Sequence, residues 1–425
     1  MLRFGKGRRA QTILDQAIVS GSNFATGIIL VRGLGLGDFG RFTIAYSILL
    51  LANSIQLSFI SSPMITIGSL SSTAENRTRF LRGMFGAQIM FCATASAAAL
   101  TAAVLYVGIN RTTSTAGVGI ILAFVSAIVF YLMQDWLRRY YFTVDKAAAS
   151  VWNDGISYLG QVTVLCILLW TRTLTIETAL WTIAVTSGSA FTLGALLERL
   201  RCHRVEMRDA WSLCRGISID LGISNQLQWL VYQGAMLVGA GVVGAPAAGA
   251  IRATQNAIGP VNMAFQAMEN IVPIRAAEEM RRGGPVKVAT FLFRFGSIGF
   301  AVLLVVFLLT SLFSANFLTL FYGHQLRVYA GVLNLQMLYF LLAWPIRQLT
   351  FLFRTVSRTT PILISSIVAA VISLSFVYPM VRTFGALGIM IAAVAGQMGN
   401  LIYLIIAWSH LRSAVLESEP KMLAD

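Results

Sequence analysis

A chain of 425 residues in which 57% of side chains are apolar and only 12% charged cannot cover a water-facing surface with charge. The composition excludes an ordinary soluble domain and points to lipid as the solvent. The net charge of +15 therefore has to be located before it is read as a nucleic-acid signal.

Stretches such as 298–310 and 362–376 hold no ionisable side chain, and a membrane span needs about 20 mostly apolar residues in helical form. The first expected span, 12–31, follows Arg3, Lys6, Arg8 and Arg9 as a signal peptide would. Its apolar run contains Asp15, Gln16, Ser20 and Asn23 and no small-x-small cleavage site, so it is read as a retained helix. Gln16, Ser20, Asn23 and Gly27 fall on one face at i, i+4, i+7 and i+11, with Asp15 beside them. The second span, 42–64, carries Tyr46, Asn53 and Gln56. Spans 83–108, 117–137, 150–170 and 176–197 complete the first half.

The seventh span, 217–243, adds Asn225, Gln226, Gln228 and Gln233. The eighth, 247–273, has the longest polar stripe: Arg252, Gln255, Asn256, Gly259, Asn262, Gln266, Glu269 and Asn270. That face cannot look at lipid. Spans 288–313, 329–353, 360–381 and 386–409 follow, the tenth holding Gln336 and Arg347. Pro260 and Pro345 each remove a backbone donor and invite a bend.

Of the 32 basic residues, Arg252 and Arg347 fall within expected spans, and the other 30 alternate from one side to the other. Segments assigned to one side, from Arg3 to Lys421 and including Arg138 and Arg139, carry 24; the other side carries six, Arg32, Arg41, Arg111, Arg172, Arg327 and Arg382. This is the positive-inside pattern, with both termini cytoplasmic. Topology and anionic headgroups account for the basic excess, and no nucleic-acid partner is expected. Cys92, Cys166, Cys202 and Cys214 form no metal spacing, and His203 beside Cys202 lacks completing ligands. No metal and no cofactor is expected.

Rare polar letters recur at fixed offsets. Gln16, Gln56 and Pro63 reappear as Gln226, Gln266 and Pro273 at 210, with the similar pairs Asp15/Asn225 and Asn23/Gln233. Tyr131, Trp136 and Arg139 reappear as Tyr339, Trp344 and Arg347 at 208. A duplication follows, with a six-helix bundle over 1–205 and a second over 206–425. An even helix number per half makes the repeat parallel, a pseudo-two-fold along the membrane normal. The expected fold is an all-α polytopic membrane protein of about 12 transmembrane helices in two six-helix bundles.

A guanidinium at mid-membrane costs ~2.5–3.5 kcal/mol, so Arg252 and Arg347 should meet an acid, carbonyls or a ligand. The acids within spans are Asp15, Asp135, Asp154, Asp220 and Glu269. Arg252 at a helix end could instead snorkel, and Trp344 and Pro345 beside Arg347 suit an interfacial anchor. In a water-filled cavity, guanidinium groups suit a phosphate or pyrophosphate and the surrounding amides suit sugar hydroxyls.

The stretch from Leu14 to Met64 holds Asp15-Gln16, Ser20-Gly21-Ser22-Asn23-Phe24, Gly37-Asp38-Phe39-Gly40-Arg41-Phe42 and Ser61-Ser62-Pro63-Met64. A second stretch holds Gly249-Ala250-Ile251-Arg252-Ala253-Thr254-Gln255-Asn256, Pro260, Glu269-Asn270 and Pro273. Both resemble the polysaccharide/O-antigen flippase branch of the MOP (multidrug/oligosaccharidyl-lipid/polysaccharide) exporter superfamily, MATE-like in fold. The resemblance implies a V-shaped pair of bundles with a cationic central cavity. It further implies movement of a polyprenyl-pyrophosphate-linked oligosaccharide to the outer leaflet of a bacterial inner membrane, for surface polysaccharide or exopolysaccharide synthesis. Its partners would be the lipid-linked oligosaccharide, membrane lipids and polysaccharide polymerase and chain-length proteins. Cavity residues of the family map onto Arg252, Gln255 and Asn256 and onto the Asp15, Gln16 and Asn23 face. Gln56, Gln226, Gln233, Gln266 and Arg347 join the substrate-binding candidates, and Asp15 and Glu269 are the ion-coupling candidates. A two-helix lipid groove, as in longer relatives, is not expected.

Three other readings stay open. A cation-coupled multidrug exporter of the same superfamily wants carboxylates deep in the cavity. A membrane-embedded glycosyltransferase or ligase wants facing catalytic groups, which His203, His324 and His410 do not supply, so no catalytic residue is assigned. A scaffold for a synthesis complex would tolerate loss of Arg252.

Overall fold

A computed structural model describes residues 6–70, 73–110, 115–356 and 358–422. The side chains of Gln266, Asp220, Asn225, Gln228 and Asn270, and those of the basic residues Arg3, Lys6, Arg8, Arg9, Arg111, Arg204, Arg412 and Lys421, lie outside the described residues. Among the described residues there are helices and no strand. In lipid the backbone must satisfy itself within each segment, which a helix does.

Twelve helical rods follow one another among the described residues. They are α1 (6–34), α2 (36–70), α3 (Ala74–Asn110), α4 (Thr115–Thr143), α5 (147–170), α6 (Ile176–Glu198), α7 (204–243), α8 (245–282), α9 (285–322), α10 (Ala330–Thr355), α11 (Thr360–Phe384) and α12 (Ala386–Met422). Each expected span lies inside one of them, except that the tenth begins one residue early, at Tyr329, in the 3₁₀ turn before α10. The protein is an all-α polytopic membrane protein, and its rods run past the apolar stretches because helices continue into the headgroup zone. α9 shows why lipid is required: Leu304, Val305, Leu308, Leu309, Leu312 and Phe313 are all exposed along it.

The α1/α2 and α7/α8 hairpins turn on glycine. Gly35 has φ 72° and ψ 168°, and Gly244 has φ 101° and ψ 170°. Only a residue without Cβ adopts these angles cheaply. The two positions are 209 apart, so the reversal recurs at the spacing of the sequence repeat.

By internal packing the chain divides into two units, Met1–Gln226 and Leu227–Asp425. In the first, α4 lies against α6 and α5 follows α1, with Gln161 Nε2 donating to Thr26 Oγ1 at 3.3 Å. Trp136, Leu132 and Leu137 are fully buried at its centre. The leading half of α7 belongs to this unit: Gln226 Nε2 donates to Ser54 Oγ at 3.1 Å. In the second unit α11 and α12 pack closest. A Cβ on Gly388 would stand 2.1 Å from the Met380 carbonyl oxygen, and one on Gly396 2.8 Å from that of Ala369. Small residues let the two backbones approach, as membrane helix pairs require.

Three rods contain a π-helical turn, each widening the helix by one residue. In α2 it covers Leu57–Ser61, where the Ser62 N–H reaches Leu57 O, just before Pro63, which has no N–H to give. The others cover Gly155–Leu159 in α5 and Leu230–Gly234 in α7. Pro260 interrupts α8 as expected: Ile258 leaves the helical region at φ −90°, ψ 10°, and a new turn starts at Gly259. α10 instead runs unbroken through Pro345.

Candidate functional site

In the first unit, α4 carries the charge. Arg138 Nη2 donates to Asp15 Oδ2 at 2.6 Å, and its Nε lies 2.7 Å from Asp154 Oδ2. Both carboxylates are fully buried, and Arg138 is 11% exposed. Ser150 Oγ donates to Asp15 Oδ1 at 3.2 Å, and Gln134 Nε2 donates to Asp154 Oδ1 at 2.9 Å. One turn away Arg139 reaches Asp135 through Nε (2.9 Å) and Nη2 (3.2 Å). Asn53 Nδ2 donates to the same carboxylate at 3.1 Å, and Gln56 Nε2 to Leu132 O at 3.1 Å.

The sequence reading placed Arg138 and Arg139 in a cytoplasmic loop after a span ending at 137. Both lie within α4, which continues to Thr143. A buried guanidinium is tolerable there because acids from α1 and α5 meet it. Asp15 was a candidate, whereas Asp154 and Arg138 were not. The three acids Asp15, Asp135 and Asp154 stand against the two bases Arg138 and Arg139, so this buried group carries one excess negative charge when all are ionised.

Gln16 and Asn23 are half-buried on α1. The structure brings Asp15 and Gln56 into different clusters, around Arg138 and around Asp135.

In the second unit, Arg252 on α8 donates through Nη1 to Gln255 Oε1 at 3.2 Å. Beside it Thr254 Oγ1 donates to Gln336 Oε1 at 2.5 Å, and Gln336 Nε2 donates to the Tyr232 hydroxyl. Asn256 is half-buried one residue further on. Gln233 lies within the π-helical turn of α7, and its Oε1 has no partner among the described residues. Towards the other end of α8, Glu269 Oε1 accepts from Arg347 Nη1 at 2.7 Å, and Glu269 Oε2 is 4.0 Å from Arg354 Nη1. Arg347 and Glu269 are 35% and 34% exposed. Arg252 and Arg347 therefore belong to separate clusters at opposite ends of α8. Arg347 meets an acid from another helix, while its neighbour Trp344 anchors inward, the indole Nε1 donating to Gly296 O at 2.9 Å. Arg354 was missed as a candidate because it closes α10, where a basic residue reads as a topology signal.

Among the described residues no group of three or more His, Cys, Asp or Glu side chains could hold a metal ion.

No family model and no curated protein sequence matches the chain. Solved structures do match its fold. An inward-facing multidrug-resistance MATE family transporter of the MOP superfamily superposes with a TM-score of 0.73 at 14% identity, covering 95% of this chain and 96% of that one. The lipid II flippase MurJ in an inward closed conformation gives 0.67 at 10% identity, covering 95% and 88%. A MOP superfamily transporter from Pyrococcus furiosus, described by the reversed polarity of its binding pocket, gives 0.57 at 13%, covering 96% and 95%. The chain has the fold of these MOP transporters, with twelve transmembrane helices in two bundles.

Proposed function

We propose that this chain is a transporter that moves a polyprenyl-pyrophosphate-linked oligosaccharide from the cytoplasmic to the outer leaflet by alternating access, without covalent chemistry. It would act in a bacterial inner membrane with both termini cytoplasmic, feeding surface polysaccharide or exopolysaccharide polymerisation. The observation that carries the reading is the balance of charge on α8 and α10. Arg347 and Arg354 stand against the one carboxylate of Glu269 where these helices meet, a surplus of guanidinium that favours an anionic headgroup over an organic cation, and Arg252 adds a guanidinium in its own cluster nearer the start of α8. Gln233, Gln255 and Asn256 in the second unit, and separately Gln16 and Asn23 in the first, are amides suited to sugar hydroxyls. The fold shared with a lipid II flippase supports the same direction.

Coupling to an ion gradient is assigned to Asp15 rather than Glu269. Asp15 shares Arg138 with Asp154 and is wholly buried, so a proton or monovalent cation entering there neutralises the excess charge. Glu269 already has Arg347 at 2.7 Å. The same buried carboxylates support a second reading, a cation-coupled multidrug exporter, as does the fold of the multidrug-resistance transporter.

The deciding experiment measures lipid-linked glycan reaching the outer leaflet in cells lacking their own flippase. Wild type, Arg252→Ala and Arg252→Lys are compared at matched membrane expression. The reading expects at least a ten-fold loss in Arg252→Ala and partial recovery in Arg252→Lys. Export of cationic dyes with no glycan transport would replace it with the exporter.

A further inference from the structure

The second unit holds a cavity of about 810 Å³ walled by α9, α10 and α12 that none of the polar clusters touches. Its lining includes Ala289, Phe293, Ser297, Trp344, Gln348 and Trp408. Phe293 is 79% exposed and Ile405, also on the wall, 51%, so the cavity opens sideways to lipid rather than inward to water. On α9 it runs from Pro285 to Phe300, which at 1.5 Å per residue is about 22 Å. One leaflet with its headgroup zone is about as deep. The groove begins at the end of the rods where Arg281, Arg282 and Lys287 cluster, and Arg294 lies one turn from both Thr290 and Ser297 on the groove face of α9. Long cationic side chains there extend back towards a phosphate at the headgroup level.

Gln348 makes this more than an apolar seam. It is only 7% exposed, it lines the groove, and its Oε1 has no partner among the described residues. Its Nε2 is directed at Met268 Sδ, 3.0 Å away, a weak acceptor. The amide N–H groups of Gln348 therefore lack a strong acceptor, two helical turns in from the end of α10, where headgroup gives way to chain. A phosphate oxygen is a strong acceptor for them, and a plain hydrocarbon surface is not.

We propose that this groove seats the isoprenyl chain of the lipid-linked substrate as it loads from the basic-end leaflet, with Gln348 donating to the chain-proximal phosphate. The inference rests on the transport reading above. A transporter that passes a glycan headgroup across the membrane must leave the attached chain in hydrocarbon, and a leaflet-long, laterally open groove meets that need. Four aromatic rings on the wall, those of Phe293, Phe300, Trp344 and Trp408, offer flat faces to the planar double bonds of an isoprenoid.

The test uses purified full-length protein in phosphatidylethanolamine/phosphatidylglycerol vesicles. One probe is a polyprenyl-pyrophosphate disaccharide with a diazirine in its chain; the other is a diazirine-bearing phosphatidylglycerol. After photolysis, the first should label residues 285–300 and 401–408. Ser297→Trp and, independently, Ala289→Trp should lower that label at least ten-fold, and Gln348→Leu about three-fold. Leu193→Trp, in a small apolar groove of α4 and α6, should leave it unchanged. Equal labelling by phosphatidylglycerol, or label spread evenly over all lipid-facing helices, overturns the proposal. Headgroup flipping measured in the same vesicles separates the two readings. Flipping without groove label removes the groove and keeps the transporter; groove label without flipping does the reverse.

Discussion

α4 and α10 are the same helix twice, and they differ at one telling position. Tyr131, Trp136 and Arg139 on α4 correspond to Tyr339, Trp344 and Arg347 on α10, 208 residues on. At that spacing Arg138 corresponds to Ile346. Arg138 holds two fully buried carboxylates from α1 and α5. Ile346 packs with Phe353, Ile362 and Leu404 in a wholly apolar cluster. The neighbouring arginines kept their function as ion-pair partners but changed source: Arg139 uses Asp135 of its own helix, Arg347 uses Glu269 of α8. A scaffold can close this seam with either ions or hydrocarbon, so the ions in the first unit are not needed for closure and are free to serve as a binding device.

The sharpest way to break the comparison is to make the first seam resemble the second one residue at a time. Arg138→Leu strands Asp15 and Asp154 in the interior, and removing one partner of a buried pair costs about 3–5 kcal/mol. Thermal unfolding in detergent should show the largest loss of any single substitution considered. Adding Asp15→Leu and Asp154→Leu to that variant should recover most of the stability while abolishing gradient-driven transport. A melting point for Arg138→Leu within a degree of wild type would mean the two carboxylates are already neutral and the contrast is one of shape alone.

What the sequence carried and what it concealed divide along physical lines. Span positions were legible because about 20 apolar residues in succession leave little choice. Glycine turns at Gly35 and Gly244 and the interruption at Pro260 follow from residue types with a fixed backbone preference. The Arg138 cluster was not legible. A charge at the end of an apolar run reads as the membrane boundary, and the acids that meet it lie 123 positions before it and 16 after, on different helices. Pairings at such distances depend on packing, not on local pattern. The polar stripe of α8 was visible as a stripe, yet Arg252 and Glu269 proved to lie in separate clusters, since one face of a long helix meets several neighbours in turn. The π-helical turns and the α9 groove have no local signature.

A milder pair of substitutions sharpens the comparison at the level of function. Asp15→Asn removes the excess negative charge of the first cluster and keeps its shape, while Glu269→Gln removes a half-exposed carboxylate from the second. An exposed pair contributes about 0.2–1 kcal/mol, so Glu269→Gln should move the melting point little, while Asp15→Asn, which weakens the buried pair with Arg138 but leaves Asp154 beside it, should lower it more than Glu269→Gln and less than Arg138→Leu. Transport driven by an imposed proton or sodium gradient should fall ten-fold or more in Asp15→Asn and stay within about three-fold of wild type in Glu269→Gln. Equal losses would assign coupling to both units, and an effect confined to Glu269→Gln would move it to the second.

The smallest expected effect concerns the two equivalent tryptophans. Trp344 Nε1 donates to Gly296 O at 2.9 Å, tying α10 to α9. Trp136 is fully buried against Phe85 and Tyr140, and its Nε1 has no partner among the described residues. Substitution by Phe removes an indole N–H in each case and a similar volume. At Trp344 it also removes a made hydrogen bond, about 0.5–1.5 kcal/mol. At Trp136 it removes a buried donor that was costing free energy, which offsets part of the lost packing. Trp344→Phe should therefore unfold at a lower temperature than Trp136→Phe, by an interval matching about 1 kcal/mol. Because Trp344 also walls the α9 groove, its substitution should weaken photolabelling there, while Trp136→Phe should not. The reverse order of melting temperatures would indicate that Trp136 contributes mainly through its ring contacts, and that the second unit draws less of its stability from the α9–α10 seam than the bond geometry implies.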